Sequence, residues 1–160
     1  MKLHFSTSNA VQSALIYAAG DTVAALLTHS SSYPRMLGIA FIAATVYTIE
    51  IPNYFRWINA RTESMGTGHA GTRRTLFAML YFNPLWIARH LAFVQFFSGN
   101  PVSLNLIGIG FKSFLYNIPA GLLANYLIQT KLPLKHRFIA SSFFSAVMAV
   151  YYALSEVWFR

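Results

Sequence analysis

Five long apolar stretches constrain this chain more than any other feature of its sequence. They cover positions 9–28, 36–57, 75–97, 104–129 and 138–158. A helix needs about 20 mostly apolar residues to cross the hydrocarbon core of a bilayer. The stretches therefore predict an all-α polytopic membrane protein, a bundle of about five transmembrane helices that forms a single transmembrane domain over residues 1–160.

Composition agrees with a chain that is solvated by lipid. Of the 160 residues, 56% are hydrophobic and only 10% are charged, whereas soluble domains carry about 25% charged residues. The segments between the apolar stretches are short, and the only longer loop covers positions 58–74. We therefore expect the lipid bilayer as the main partner and no extramembrane domain.

The net charge of +8 has two readings, since basic proteins bind nucleic acids and membrane proteins collect cations in their inner loops. If all five stretches span, Arg35 and Arg160 are the only loop cations on one side. The other side holds eight cations: Lys2, Arg56, Arg61, Arg73, Arg74, Lys131, Lys135 and Arg137. This asymmetry predicts an N-terminus inside and a C-terminus outside, in a bacterial inner membrane or a mitochondrial inner membrane, with no nucleic-acid partner.

Four ionisable residues lie within the predicted spans: Asp21, Glu50, Arg89 and Lys112. Each costs about 2.5–3.5 kcal/mol near the bilayer centre, and such groups are tolerated when they pair or line a wet cavity. A rise of about 1.5 Å per residue favours Asp21–Lys112 or Asp21–Arg89 pairs, and Arg89 could also reach Glu156. These charges are either structural ion pairs or parts of a solute path.

Prolines interrupt three of the predicted spans, at Pro52, Pro84 and Pro119, and polar residues accompany them. Broken helices beside polar side chains occur where transporters bind solutes, although ordinary kinks are at least as common. Together with the intramembrane charges, they give a predicted solute path of Asp21, Glu50, Asn83, Arg89 and Lys112.

Catalytic and metal-binding patterns are missing from the sequence. There are no cysteines, and the five histidines are scattered without helical ligand spacing beside a carboxylate. No nucleophile elbow or phosphate-binding loop is present. We therefore expect no enzyme activity, no metal and no cofactor, and we expect His90 to be a packing or interfacial residue.

Three motifs resemble those of the small Mpv/peroxisomal membrane protein family. They are AGDTVA at 19–24, PNYFRWIN at 52–59, and LPLKHR at 132–137 followed by YYALS at 151–155. The Gln after the Gly-Asp motif of that family is absent, and so is its Trp-Pro…Gln…Asn-Phe stretch before Leu132. The resemblance implies a channel-like protein of peroxisomal or mitochondrial inner membranes.

A second resemblance is to the small bacterial L-alanine exporter family. It rests on GDTVA at 20–24 and YFNPLW at 81–86. That family would have four spans and stop near Lys131, whereas this chain adds a fifth. Both resemblances imply the passage of small solutes, and both single out Asp21.

The sequence therefore predicts a small integral membrane channel or exporter for small polar solutes. Because five helices enclose little space, a homo-oligomer is expected if the protein works without other subunits. The alternative is a structural or accessory subunit of a larger membrane protein complex, which short loops and abundant apolar residues fit equally well.

Overall fold

The structure, a computed structural model, describes residues 3–159, apart from the side chains at positions 67 and 68. This part of the chain is all-α, as predicted, and contains no strand. Its six helices are α1 (Thr7–Leu27), α2 (Tyr33–Thr62), α3 (Thr67–Tyr81), α4 (Pro84–Phe97), α5 (Asn105–Lys131) and α6 (Leu134–Trp158). Four of them, α1, α2, α5 and α6, are long and apolar enough to cross a membrane.

Local capping residues set several helix boundaries. The Ser6 hydroxyl accepts a hydrogen bond from the backbone of Asn9 at the start of α1, and Ser32 does the same for Arg35 at the start of α2. Such side chains satisfy amides that have no partner within the helix. The Ser32 cap starts α2 three residues before the predicted span, so Arg35 lies in the first turn of a helix.

The predicted third span, 75–97, is not one continuous helix. The chain leaves helical geometry at Phe82 and Asn83, and the Asn83 side chain caps α4 by accepting from the amides of Leu85 and Trp86. Pro84 begins the new helix, where its missing N–H is harmless. Pro52 and Pro119 lie inside continuous helices, so only one of the three prolines starts a new helix.

Helices α3 and α4 together nevertheless form one pass along the bundle. Near one end, Arg74 of α3 donates to the Thr62 hydroxyl at the end of α2. At the other end, Phe97 of α4 packs against Gly38 near the start of α2. Helix α5 then returns alongside both, with Gly110 close to α4 and its last turns close to α3. Residues 3–159 therefore make five antiparallel passes, of which the third is broken at its middle.

A turn of π-helix at Ala43–Tyr47 divides α2 into two α-helical halves. The Ala43 carbonyl accepts hydrogen bonds from the hydroxyls of Ser13 and Thr48. A π-turn accommodates one extra residue within a helix. It places Tyr47 in the core, where this side chain is fully buried.

The outward faces of the helices are apolar. Exposed leucine, valine and phenylalanine side chains occur on every helix, among them Leu15, Leu37, Leu80, Phe96, Phe111 and Phe143. A water-soluble monomer rarely exposes so large a continuous apolar surface. This surface supports insertion of the bundle in a bilayer.

Candidate functional site

Asp21 forms a buried ion pair with Arg35. The guanidinium donates from Nε to Asp21 Oδ2 at 2.9 Å and from Nη2 to Oδ1 at 2.7 Å, and its Nη1 donates to the Ser30 hydroxyl. The side chains of Arg35 and Asp21 are only 5% and 3% exposed. The predicted Asp21–Lys112 and Asp21–Arg89 pairs are therefore wrong. Arg35 was predicted to lie in a loop. It lies instead in the first turn of α2, and its side chain extends toward α1.

This ion pair lines a polar cavity of about 220 Å³, which we call the vestibule. Thr28, Ser30, Ser98 and Asn100 surround the vestibule at the end of the bundle where α1, α4 and α6 finish. We call this the distal end. Its other lining residues are Asp21, Arg35, His90, Leu91, Val94, Gln95, Ala149, Tyr152, Ala153, Glu156 and Val157.

Three residues mark the depth that the vestibule reaches. Asp21, His90 and Tyr152 each lie six or seven residues before the end of their helix, or about 10 Å at 1.5 Å per residue. Part of the way down, Gln95 Nε2 donates to Glu156 Oε1 at 2.5 Å. The vestibule thus combines two carboxylates, a guanidinium, two amides and an imidazole in a small volume.

A cluster of five buried rings lies at the inner limit of the vestibule. We call this cluster, formed by Tyr17, Tyr47, Trp86, His90 and Tyr152, the aromatic plug. His90 stacks on Trp86 with ring centroids 5.7 Å apart, and its Nδ1 is 3.0 Å from the Tyr47 hydroxyl. The Tyr152 ring lies edge-on to His90 at 6.5 Å. His90 and Tyr152 line the vestibule, and every ring of the plug is at most 5% exposed.

A second, much smaller cavity of about 20 Å³ lies on the other side of the plug. Trp86 and Tyr152 line it together with polar side chains from α5 and α6, namely Asn117, Asn125 and Ser145. Its volume suffices for about one water molecule, which needs roughly 10–15 Å³. Among the residues that the structure describes, Trp86 Nε1 is buried without a hydrogen-bond partner. A cavity therefore lies on each side of the plug.

Glu50 and Arg89 form a different pair on the lateral surface of the bundle. Two hydrogen bonds of 3.0 and 2.7 Å join them, and the Tyr81 hydroxyl donates to Glu50 at 2.8 Å. Each charged side chain is 36% exposed. A surface cavity of about 340 Å³ adjoins Arg89 and is lined by Tyr54, Leu80, Tyr81, Asn83, Leu85 and Trp86. We call Glu50 and this cavity the lateral patch.

Lys112 belongs to neither site. Its ammonium lies 3.5 Å from the Phe159 carbonyl and 6.0 Å from the centre of the Phe159 ring, at the distal end, where it is exposed. Long basic side chains near helix ends extend toward the membrane interface in this way. The five predicted path residues are thus divided among three places, and only Asp21 lines the vestibule.

Sequence reasoning missed most of the vestibule. Arg35 follows a Ser-Tyr-Pro helix start, and this signal could have placed it inside α2 and not in a loop. His90 was predicted to pack, which it does, but it also lines the vestibule. Gln95 carries no local signal, because its role depends on reaching Glu156 in a distant helix.

No cluster of three or more histidine, cysteine or acidic side chains that could hold a metal ion occurs within the described part of the chain. Comparisons with protein-family models, with curated proteins and with solved structures find no match to this chain. The two resemblances identified from its motifs therefore stay predictions.

Proposed function

We propose that this chain is an integral membrane protein that lets small polar solutes pass, with the vestibule as the mouth of the path and the aromatic plug as its gate. The observation that carries the proposal is a polar vestibule that ends, about 10 Å inside an apolar bundle, at the Asp21–Arg35 pair and the plug. Passage involves no bond breaking. Both sequence resemblances imply the same class of function.

The proposed topology has five crossings, with α3 and α4 together forming the third. Each half alone, of 15 and 14 residues, is shorter than the roughly 20 residues that a crossing needs. Together they run the length of α2. The charge asymmetry then puts the N-terminus inside and the vestibule outside, in a bacterial or mitochondrial inner membrane. Because Arg35 is paired within the bundle, it adds no free charge to the outer loops.

The vestibule has the chemistry to replace part of the hydration of a polar solute. Its volume of about 220 Å³ is many times the roughly 10–15 Å³ needed by one water molecule. The carboxylate, guanidinium, amide and hydroxyl groups around it include hydrogen-bond donors and acceptors, and charges of both signs. A solute held there would continue inward only if the rings of Trp86 and Tyr152 moved apart, because both rings line the small cavity beyond the plug.

The alternative function is a structural or accessory subunit of a larger membrane complex. The observation that favours it is the lateral patch, whose half-exposed ion pair needs a polar neighbour inside a membrane. In that case the vestibule would be a by-product of helix packing, and the Asp21–Arg35 pair would serve only stability.

Solute flux into liposomes that contain the purified protein tests the proposal. Ala153→Leu narrows the vestibule without changing any charge, while Val147→Leu adds a methylene group on the exposed face of the same helix. We expect flux of small polar solutes through the wild type and Val147→Leu, and its loss in Ala153→Leu. Asp21→Asn should also reduce flux.

Equal flux through Ala153→Leu and Val147→Leu would show that solutes do not use the vestibule. If purified wild-type protein gives no flux and other subunits co-purify with it from native membranes, the accessory-subunit function is supported instead. Helical content measured by circular dichroism ensures that only folded variants are compared.

A further inference from the structure

The lateral patch lies at the middle of the bundle. Glu50 is the eighteenth of the 30 residues of α2, and the break between α3 and α4 divides the third pass into halves of 15 and 14 residues. In a bilayer whose hydrocarbon core is about 30 Å thick, both features fall near the midplane. The patch is therefore as far as a lateral surface can be from either layer of lipid headgroups.

Hydrocarbon is an unsuitable neighbour for this surface. Glu50 and Arg89 are each 36% exposed, and acyl chains offer neither hydrogen bonds nor solvation to charged groups. The helix break adds irregular backbone, part of which the Asn83 side chain caps. Irregular backbone at membrane depth is found where protein covers it or where it lines a water-filled cavity.

We propose that a second copy of this chain covers the lateral patch in a two-fold symmetric dimer. A two-fold axis brings the same surface of both copies together, so that surface must be complementary to itself. One carboxylate beside one guanidinium meets this condition, because rotation sets Glu50 of one copy opposite Arg89 of the other. The exposed side chains of Leu80 and Leu85 flank the pair and give the contact an apolar border.

Other neighbours fit the patch less well. A lipid headgroup would have to move about 15 Å from the interface, half the thickness of the hydrocarbon core. With the plug closed, the vestibule does not supply water to the patch, since the two share no lining residue and Trp86, which lines the lateral patch, belongs to the plug. A foreign protein would need its own matching charges, whereas a second copy already carries them.

The inference rests on insertion in a membrane but not on the passage of solutes, so solute flux and dimer formation can fail independently. Single cysteines can report the contact directly, because the chain contains none. Leu80→Cys and Leu85→Cys each place a thiol beside the lateral patch. Val147→Cys places one at a similar depth on α6, where the side chain is also exposed, and serves as the matched control.

Cross-linking is carried out in native membranes with a short thiol-reactive cross-linker on two co-expressed copies that carry different tags. We expect Leu80→Cys and Leu85→Cys to give a product of twice the 17.9 kDa chain mass that bears both tags, and Val147→Cys to give none. A product that contains another protein, or equal cross-linking at all three positions, would overturn the inference. The absence of any cross-link at positions 80 and 85 would also overturn the inference. This holds whether or not a membrane-impermeant maleimide labels these thiols.

Exchanged charges provide a second test. Copies with Glu50→Arg or with Arg89→Glu each carry two like charges in the lateral patch, so like copies should repel and unlike copies should attract. Combined with Leu80→Cys and expressed in equal amounts, the two variants should give mixed cross-links well above the half expected from random pairing. A random share, with both variants present in the membrane, would contradict a contact through this patch.

Discussion

Replacing Asp21 by Asn tests whether the pair with Arg35 is as dry as its burial indicates. The carboxylate receives two charge-assisted hydrogen bonds from Arg35, and both side chains are at most 5% exposed. Removing one member of a buried ion pair costs about 3–5 kcal/mol, because the other charge stays buried without compensation. Asp21→Asn keeps one acceptor oxygen but removes the counter-charge, so the side-chain partners of the guanidinium become the neutral amide oxygen and the Ser30 hydroxyl.

The loss is measured as the free energy of unfolding in mixed micelles of a mild detergent and sodium dodecyl sulfate, followed by circular dichroism. The matched control is Glu63→Gln, because Glu63 is exposed in the turn that follows α2 and exposed ion pairs contribute about 0–1 kcal/mol. Replacing both Asp21 and Arg35 by Leu should recover most of the loss, since an apolar pair of similar volume is tolerated in place of buried charges.

A cost below about 1 kcal/mol for Asp21→Asn, similar to that for an exposed pair, would refute this reasoning. It would mean that water in the vestibule already solvates both charges and that the static burial overstates their isolation. A double variant no more stable than Asp21→Asn alone would refute it too, because the two charges would then not be coupled.

Two further predictions concern the packing of α1 on α6 and the aromatic plug. A Cβ at Gly20 would lie 2.6 Å from the Ala146 carbonyl oxygen, whereas one at Gly108 meets nothing within 4 Å. Gly20→Ala should therefore lower the free energy of unfolding in the same micelles by about 1–3 kcal/mol, and Gly108→Ala should leave it unchanged or raise it by up to about 1 kcal/mol. Trp86→Ala removes a ring of the plug and should increase solute flux in liposomes, whereas Trp57→Ala, which removes contacts with Tyr54, Phe77 and Arg61 away from the plug, should not. Equal stabilities of the glycine variants, or equal flux of the tryptophan variants, would contradict these assignments.

The helices of this fold follow closely from the sequence because hydrophobic length and capping are local properties. Four of the five predicted spans correspond to single helices, with ends shifted by a few residues where Ser6 and Ser32 act as caps. The third span failed because hydropathy continues across Asn83 and Pro84. Hydropathy does not register that an Asn cap followed by Pro starts a new helix.

The partners in the ion pairs could not be predicted from the sequence, for a geometric reason. Counting residues gives the height of a charge along its helix, but it does not give the direction in which the side chain points. Asp21 and Arg89 lie at similar heights on different faces of the bundle, so each pairs with α2 and not with the other. The vestibule could not be predicted for the same reason, since it forms only where side chains from four helices point toward one common space.

The π-turn at Ala43–Tyr47 sets the angular relation between the two polar regions of α2. Arg35 lies before this turn and Glu50 after it, and one residue corresponds to about 100° around a helix axis. Deleting one residue from the turn would restore an ordinary α-helix and rotate one half of α2 against the other by that angle. The contact of Arg35 with Asp21 and the contact of Glu50 with Arg89 could then not form at the same time. The extra residue in the π-turn therefore allows one helix, α2, to direct Arg35 toward the vestibule and Glu50 toward the lateral surface.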